Sequence, residues 1–209
     1  THMLASISHD LRAPLTRMRL RSEFMEDLDH QRKLIRDVEE MQSMINAALE
    51  FFREDTHREA TTAFDLSELL QTIVDDYRDQ HIDVDFDGPA HLVYNGRPLG
   101  IKRVIVNLLE NAVKYARNPR ITLSRDDYAI RIEVSDEGPG IPEEALEKVF
   151  DPFFRLETSR NRSTGGVGLG LSAARAIIRE QGGDLTLRNQ RRKGLVARVE
   201  LAVAPTLLG

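Results

Sequence analysis

The chain has 209 residues, a formal net charge of -5, 41% hydrophobic and 30% charged residues, the balance of a soluble protein of one or two domains. It has no cysteine, which excludes disulfides and thiolate metal sites and fits a reducing compartment. The mild acidity argues against nucleic-acid binding, no apolar run approaches the roughly eighteen residues of a membrane span, and no signal-peptide pattern opens the chain.

Thr1-His2-Met3 has the look of a remnant of tag removal, so the elements are taken from Leu4 onward and the chain is expected to be part of a longer one. From Leu4 to about Asp29, the residues Leu4, Ile7, Leu11, Leu15, Met18 and Met25 recur at intervals of three, four or seven, which predicts one apolar stripe on a helix. Pro14 lacks the N–H that would bond the carbonyl of Asp10, so a kink is expected beside His9. Leu34, Val38, Met41, Ile45, Ala48 and Phe52 follow with the four-three spacing of a coiled-coil seam. A short connection near Asp29 to Arg32 makes the pair an antiparallel hairpin. Two helices cannot bury such a stripe by themselves, and two copies would close it as a symmetric four-helix bundle. From periodicity alone a plain coiled-coil dimeriser would be the preferred reading.

Asp55 to Ala63 has no apolar period and reads as a linker. This divides the chain into a hairpin over 1–54, a linker over 55–63 and a second domain over 64–205. In the second domain the pattern predicts a helix from Ser67 to about Asp79, strands at Ile82 to Phe86 and Leu92 to Tyr94, and a helix from Pro98 to Ala116. Strands at Arg120 to Arg125 and Ala129 to Ser135 alternate like a half-buried sheet. Pro142 to Val149 and Gly170 to Gln181 are expected to be helical, and Asp184 to Asn189 with Leu195 to Val203 to form a closing hairpin. The basic run Arg188-Asn189-Gln190-Arg191-Arg192-Lys193 reads as the solvated tip of that hairpin. Helices on an antiparallel-leaning sheet in this order imply an α/β sandwich, so that the whole is an α+β protein of two domains.

Several stretches bear chemistry. Asn107, Asn111 and Lys114 stand at intervals of four and three, hence on one helix face. An amide oxygen is a neutral hard ligand for magnesium, and a nearby lysine meets a phosphate as a point charge. A plain polar helix face satisfies the same spacing. Asp136-Glu137-Gly138-Pro139-Gly140-Ile141 follows a strand and, read alone, is a turn. Gly165-Gly166-Val167-Gly168-Leu169-Gly170-Leu171 opens a helix, where bare amides and the positive end of the helix dipole favour phosphate. It is neither a Walker loop nor a dinucleotide fingerprint. Between these, Glu157 to Ser163 is polar and without apolar repeat, as expected of a lid over about Arg155 to Thr164 that orders over ligand.

Taken together these stretches resemble the motifs of two-component sensor histidine kinases of the osmosensor-like subclass. Ser8 to Leu15 is similar to the H-box, with His9 as phosphoacceptor and Asp10 as its base or orienting group. Asn107 to Tyr115 resembles the N-box, Asp136 to Ile141 the G1 box, Phe150 to Arg155 the F-box and Gly166 to Leu171 the G2 box. The resemblance covers nearly the whole chain in the family's order. It implies a dimeric phosphoacceptor hairpin followed by a GHKL-type ATP-binding domain, with ATP and Mg2+ as cofactors. Asn107 and Asn111 would hold the metal, Lys114 a phosphate, and Asp136 the adenine amino group, with Tyr115, Gly138, Gly140, Ile141, Phe150, Gly166, Val167, Gly168, Leu169, Gly170 and Leu171 completing the pocket. Arg160 and Arg162 would reach phosphate as the lid closes.

The same resemblance implies autophosphorylation of His9 and transfer to an aspartate of a response-regulator receiver domain, on the cytoplasmic side of a cell membrane, with sensor and membrane spans upstream and no membrane contact by this portion. Hydrolytic GHKL relatives carry a glutamate where Asn107 stands, and an amide cannot serve as that base. A GHKL-type ATPase and a nucleotide-binding dimerisation module that transfers nothing are the competing readings. Kinases of this type that also dephosphorylate their regulator usually carry Thr or Asn at the position of Ala13. Thr16 lies about 10 Å along the helix from His9, so phosphatase activity is expected to be weak.

Overall fold

The computed structural model describes residues 14–25, 27–51, 59–156 and 168–203. His9, Asp10, Ala13, Arg160, Arg162, Gly166 and Val167 lie outside them. Residues 14–22 are helical (α1) and Leu28–Phe51 forms α2. The connection falls at 23–27, earlier than the Asp29 to Arg32 expected from periodicity, because Asp27 caps α2. Its Oδ1 accepts from the N–H groups of Asp29 at 2.9 Å and His30 at 3.1 Å, and its Oδ2 meets His30 Nδ1 at 2.6 Å. Met25 therefore sits in the turn and not on the first helix. Leu15 and Val38 are buried, while Met18, Leu20, Phe24, Leu28 and Met41 are exposed.

Strand structure starts before the predicted Phe64. Thr62 and Ala63, read as linker, belong to β1 (Thr62–Asp65), which pairs antiparallel with β3 (Val93–Gly96) in a two-stranded sheet. Upstream of β1, Glu59 grips the first turn of α4 (Pro98–Tyr115), its two carboxylate oxygens accepting from the N–H of Leu99 at 2.7 Å and of Gly100 at 2.9 Å. This helix has no side-chain cap from its own N-cap residue, Arg97, so a linker carboxylate satisfies its orphan donors and complements its dipole.

Helix α3 (Leu66–Asp79) is capped by Asp65, whose Oδ1 also accepts from Leu92 N–H and so ties the helix to β3. The main sheet has the order β2-β4-β5-β7-β6, with β2 (Asp85–Asp87) parallel to β4 (Arg120–Arg125) and the other pairs, among β4, β5 (Ala129–Ser135), β6 (Asp184–Asn189) and β7 (Leu195–Ala202), antiparallel. Register aligns Ile121, Val134, Ala197 and Leu187 in one row and Leu123, Ile132, Val199 and Leu185 in the next. These rows carry the core face. The other face carries charge, with Glu133 bonded to Arg198 and Arg131 to Glu200 across the strands.

Against the apolar rows lie α3, α4 and α5 (Gly170–Glu180). Their inward residues follow helical spacing: Leu70, Ile73 and Tyr77 on α3, Ile101, Ile105 and Leu109 on α4, Ala174 and Ile178 on α5. Each fully buried Ile or Leu contributes about 2 kcal/mol. Pro142 to Val149, expected to be a helix, is instead two 3-10 turns, Glu143–Ala145 and Lys148–Phe150. The segment lays Ala145, Val149 and Phe150 on the core. Among the described residues no helix is long and apolar enough to cross a membrane.

Candidate nucleotide site

Helix α4 is the spine of the site. With Val104, Ile105, Leu108 and Leu109 turned into the core, the half-buried Asn107 and Asn111 come to one side, close enough for Asn111 Nδ2 to approach Asn107 Oδ1 at 3.4 Å. Helix α5 begins against this point. A Cβ at Gly170 would lie 2.7 to 2.8 Å from the Asn107 carboxamide, so only glycine lets the N-terminus of α5 come so near the amide. Farther along, Lys114 Nζ stands 5.1 Å from the Tyr115 ring centroid, and Tyr115 is exposed. A groove of about 380 Å³ between α4 and α5 is lined by Asn107, Glu110, Leu169 and Gly170 and runs out to Leu99 and Lys102. Asp136 does not line it.

The turn after β5 closes on the far end of the same helix. Glu137 N–H donates to Arg117 O at 2.9 Å and Asn118 Nδ2 donates to the Glu137 carboxylate at 2.9 Å. Asp136 is half-buried; one carboxylate oxygen, Oδ1, accepts from Gly138 N–H at 2.7 Å and Leu195 N–H at 3.3 Å. Burial pushes its carboxyl above the ordinary carboxylate range, and these two backbone donors pull it back. Oδ2 accepts nothing from a described residue, which suits it to an exocyclic amine.

The segments flanking 157–167 meet each other. Phe153 N–H donates to Gly168 O at 3.0 Å, and Phe153 holds a left-handed backbone, φ 67°. Phe150 is buried, with the Arg175 guanidinium 4.3 Å above its ring, and Arg175 in turn reaches Asp184 and Glu147. Phe150 and Leu169 are buried, and Ile141 and Leu171 pack against the core, so the described surroundings give these four a packing role. Asn107, Asn111, Gly170 and Gly168 are brought together around the α5 N-terminus, and Asp136 and Gly138 at the other end of α4.

Two residues were overlooked by sequence reasoning. Arg191, Arg192 and Lys193 are exposed as expected of a hairpin tip, yet Asn189 and Gln190 in the same run bind the Asp136 turn. Asn189 bonds both polar groups of Ile141, and Gln190 Nε2 donates to Asp136 O at 3.0 Å. The signal was two carboxamides at a strand end among cations, with Gly194 to close the turn.

No group of three or more His, Cys, Asp or Glu side chains able to hold a metal occurs among the described residues. A divalent ion here would rest on amide oxygen, water and the phosphates of a ligand, all hard oxygen donors of the kind magnesium takes. Asn107 and Asn111 fit that demand.

Fold and site define an ATP-binding unit of the kind shared by histidine kinases, gyrase and a chaperone. Residues 96–205 match the family model described as histidine kinase-, DNA gyrase B-, and HSP90-like ATPase, and residues 1–57 match that of the His Kinase A (phospho-acceptor) domain. Sensor histidine kinase GtrS of Pseudomonas aeruginosa is 41% identical over 194 residues, covering 92% of this chain and 40% of that protein. Signal transduction histidine-protein kinase BarA of Escherichia coli is 28% identical over 218 residues, 93% of this chain and 24% of that protein. The chain thus spans less than half the length of these curated relatives. Among solved structures, the catalytic domain of histidine kinase ThkA superposes with a TM-score of 0.59 at 32% identity, over 69% of this chain and 98% of that one. Full-length ShkA in complex with AMPPNP gives 0.68 over 98% of this chain and 47% of that one, at 21% identity, a likeness of fold alone. The chain belongs to the sensor histidine kinases of two-component signalling, as their transmitter core: a phosphoacceptor region followed by a GHKL-type ATP-binding domain.

Proposed function

We propose that this chain transfers the γ-phosphoryl of ATP to His9 and from there to an aspartate of a response-regulator receiver domain. The observation that carries this is the amide at Asn107: where the α5 N-terminus meets α4, this position offers a neutral oxygen in place of the glutamate that activates water in hydrolytic GHKL relatives. That favours transfer over the hydrolysis of a GHKL-type ATPase. The match of residues 1–57 to a phospho-acceptor model supports transfer over a module that merely binds nucleotide.

Each residue has a part that its chemistry suits. Asp136 Oδ2 accepts from the adenine amino group and repels the guanine oxygen at the same edge. Asn107 and Asn111 would hold magnesium, which when bound neutralises charge on the phosphate oxygens. Lys114 adds a point charge, and the amides that open α5 face the phosphates. His9, oriented by Asp10, attacks in line. Arg160 and Arg162 approach phosphate from the lid. Ala13 offers no hydrogen bond to a hydrolytic water, so phosphatase activity is weak.

Two copies pair through the hairpin, whose exposed Met18, Leu20 and Met41 would then find cover. The catalytic unit begins at Glu59, because that residue completes α4. In the full-length protein this core lies on the cytoplasmic side of the cell membrane.

Incubation with γ-labelled ATP and Mg2+ tests the proposal. Acid-labile label should appear on the chain and vanish in His9→Gln. Label that persists in that variant, or free phosphate released without label on the chain, refutes transfer to His9.

A further inference from the structure

The turn Asp136–Ile141 contains Gly138, Pro139 and Gly140 and lies between the end of β5 and a 3-10 turn. Inside it Asp136 Oδ1 accepts from Gly138 N–H at 2.7 Å, and Glu137 N–H donates to Arg117 O at 2.9 Å. Its two ends are held by one structure, the β6–β7 hairpin end. At its start, Asp136 N–H donates to Leu195 O at 3.1 Å and Asp136 O accepts from Gln190. At its finish, Asn189 Oδ1 accepts from Ile141 N–H at 2.9 Å while Asn189 Nδ2 donates to Ile141 O at 2.7 Å and to Glu143 Oε1 at 3.0 Å.

A carboxamide presents donor and acceptor together, which a single side chain needs to satisfy both polar groups of one residue. A carboxylate offers acceptors alone, and a hydroxyl has one centre. Gly140 is the companion of this contact: a Cβ there would lie 2.6 Å from Asn189 Oδ1, at a φ of 74° that non-glycine residues rarely adopt. The spacing between the two posts, Asp136 and Ile141, is therefore set by Asn189 and its neighbours on β6–β7.

We propose that Asn189 is a positioning residue of the nucleotide site, clamping Ile141 so that the turn presents Asp136 Oδ2 to the adenine amino group. The inference rests on the reading of Asp136 as the adenine acceptor and deepens it. Asn189 touches no nucleotide. Its effect falls on how well Asp136 is placed before binding, hence on affinity and on base selection more than on the transfer step.

The test uses the whole chain and Mg-ATP or Mg-GTP as probes. Asn189→Ala should raise KM for ATP about tenfold and narrow the ATP-over-GTP preference several-fold, with kcat changed less than about twofold, because it removes three hydrogen bonds of ordinary strength. Asn189→Asp should do more harm, since a carboxylate then faces both Ile141 O and Glu143. Adding Glu143→Gln to it should recover part of the affinity. A folded Asn189→Ala with unchanged KM and unchanged selectivity overturns the proposal. Should that variant not fold, equal KM values in Asn189→Asp with and without Glu143→Gln overturn it. Asp136→Asn separates the two readings: selectivity lost there but kept in Asn189→Ala sinks the clamp alone, and selectivity kept in both sinks the adenine reading and the clamp with it.

Discussion

The helical hairpin and the sandwich that follows it bury their apolar residues in opposite ways. In the sandwich, three helices cover one face of a five-stranded sheet, and Leu66, Ile105, Ile132 and Leu201 are wholly out of solvent within one chain. In the described part of the hairpin, Leu15 and Val38 are buried while Phe24 is 87% and Leu28 63% exposed. The sandwich is complete by itself; the described part of the hairpin leaves large apolar side chains in solvent. In the reading proposed above, a transmitter built this way keeps its ATP-binding unit folded while its phosphoacceptor half depends on assembly.

Changes confined to one unit should leave the other untouched, and the largest effect falls on the hairpin. Met18→Glu places a charge in the stripe, twice per dimer. It should weaken dimerisation by about 4 kcal/mol, roughly a thousandfold, as read by sedimentation, while ATP affinity and the melting of the sandwich stay as they were. A dimer of undiminished affinity would move the interface elsewhere.

Next comes Gly194→Ala. Its φ is 112° and a Cβ would lie 1.8 Å from Asp136 O, so the substitution should cost the sandwich about 3 kcal/mol by denaturant unfolding and leave the dimer intact.

Asp136→Asn should reduce ATP affinity about tenfold to a hundredfold by calorimetric titration, yet leave the nucleotide-free sandwich as stable or slightly more so. The new amide oxygen still accepts from Gly138 and Leu195, and the raised carboxyl of Asp136 reports a charge that burial disfavours. By linkage, a carboxyl raised in the folded state weakens the fold at pH values above its pKa, so the gain should appear near neutrality and fade in acid. A large loss of stability would mark Asp136 as structural.

The smallest effect is acid sensitivity at Asp184. Arg175 beside it, assisted by Arg179, holds its carboxyl well below the usual 3.8. Its contribution is present above the unfolded pKa and lost as pH falls through the lower folded one. Because the carboxylate is 42% exposed, solvent screening leaves about 1 kcal/mol. Arg175→Met should lower stability by that amount at pH 6 and flatten its decline below pH 4, as followed by thermal melts.

What could be read from the sequence divides along the same physical line. Strands β4, β5 and β6 fall where alternation placed them, and α4 ends one residue short of its expected limit. These are elements whose pattern is set by a local period against a buried face. β1 was hidden because its burial runs exposed to half-buried and its partner lies some thirty residues on, so no local signal marks it. The hairpin turn was misplaced because Met18 and Met25 keep a helical interval across a break that Asp27 imposes by capping. At the site, the spacing of Asn107 and Asn111 showed a shared face, but nothing local ties Asn189 to Ile141. That contact, forty-eight residues apart, exists only once the sheet has formed.

Glu59 bears on how such proteins can be recombined. Its carboxylate sits in a run with no sequence signature of a domain, yet it finishes a helix that starts at Pro98. Two backbone hydrogen bonds, and not composition, thus tie residue 59 to the catalytic half. A hybrid that joins the phosphoacceptor half of one kinase to the catalytic half of another must let this acid travel with the latter.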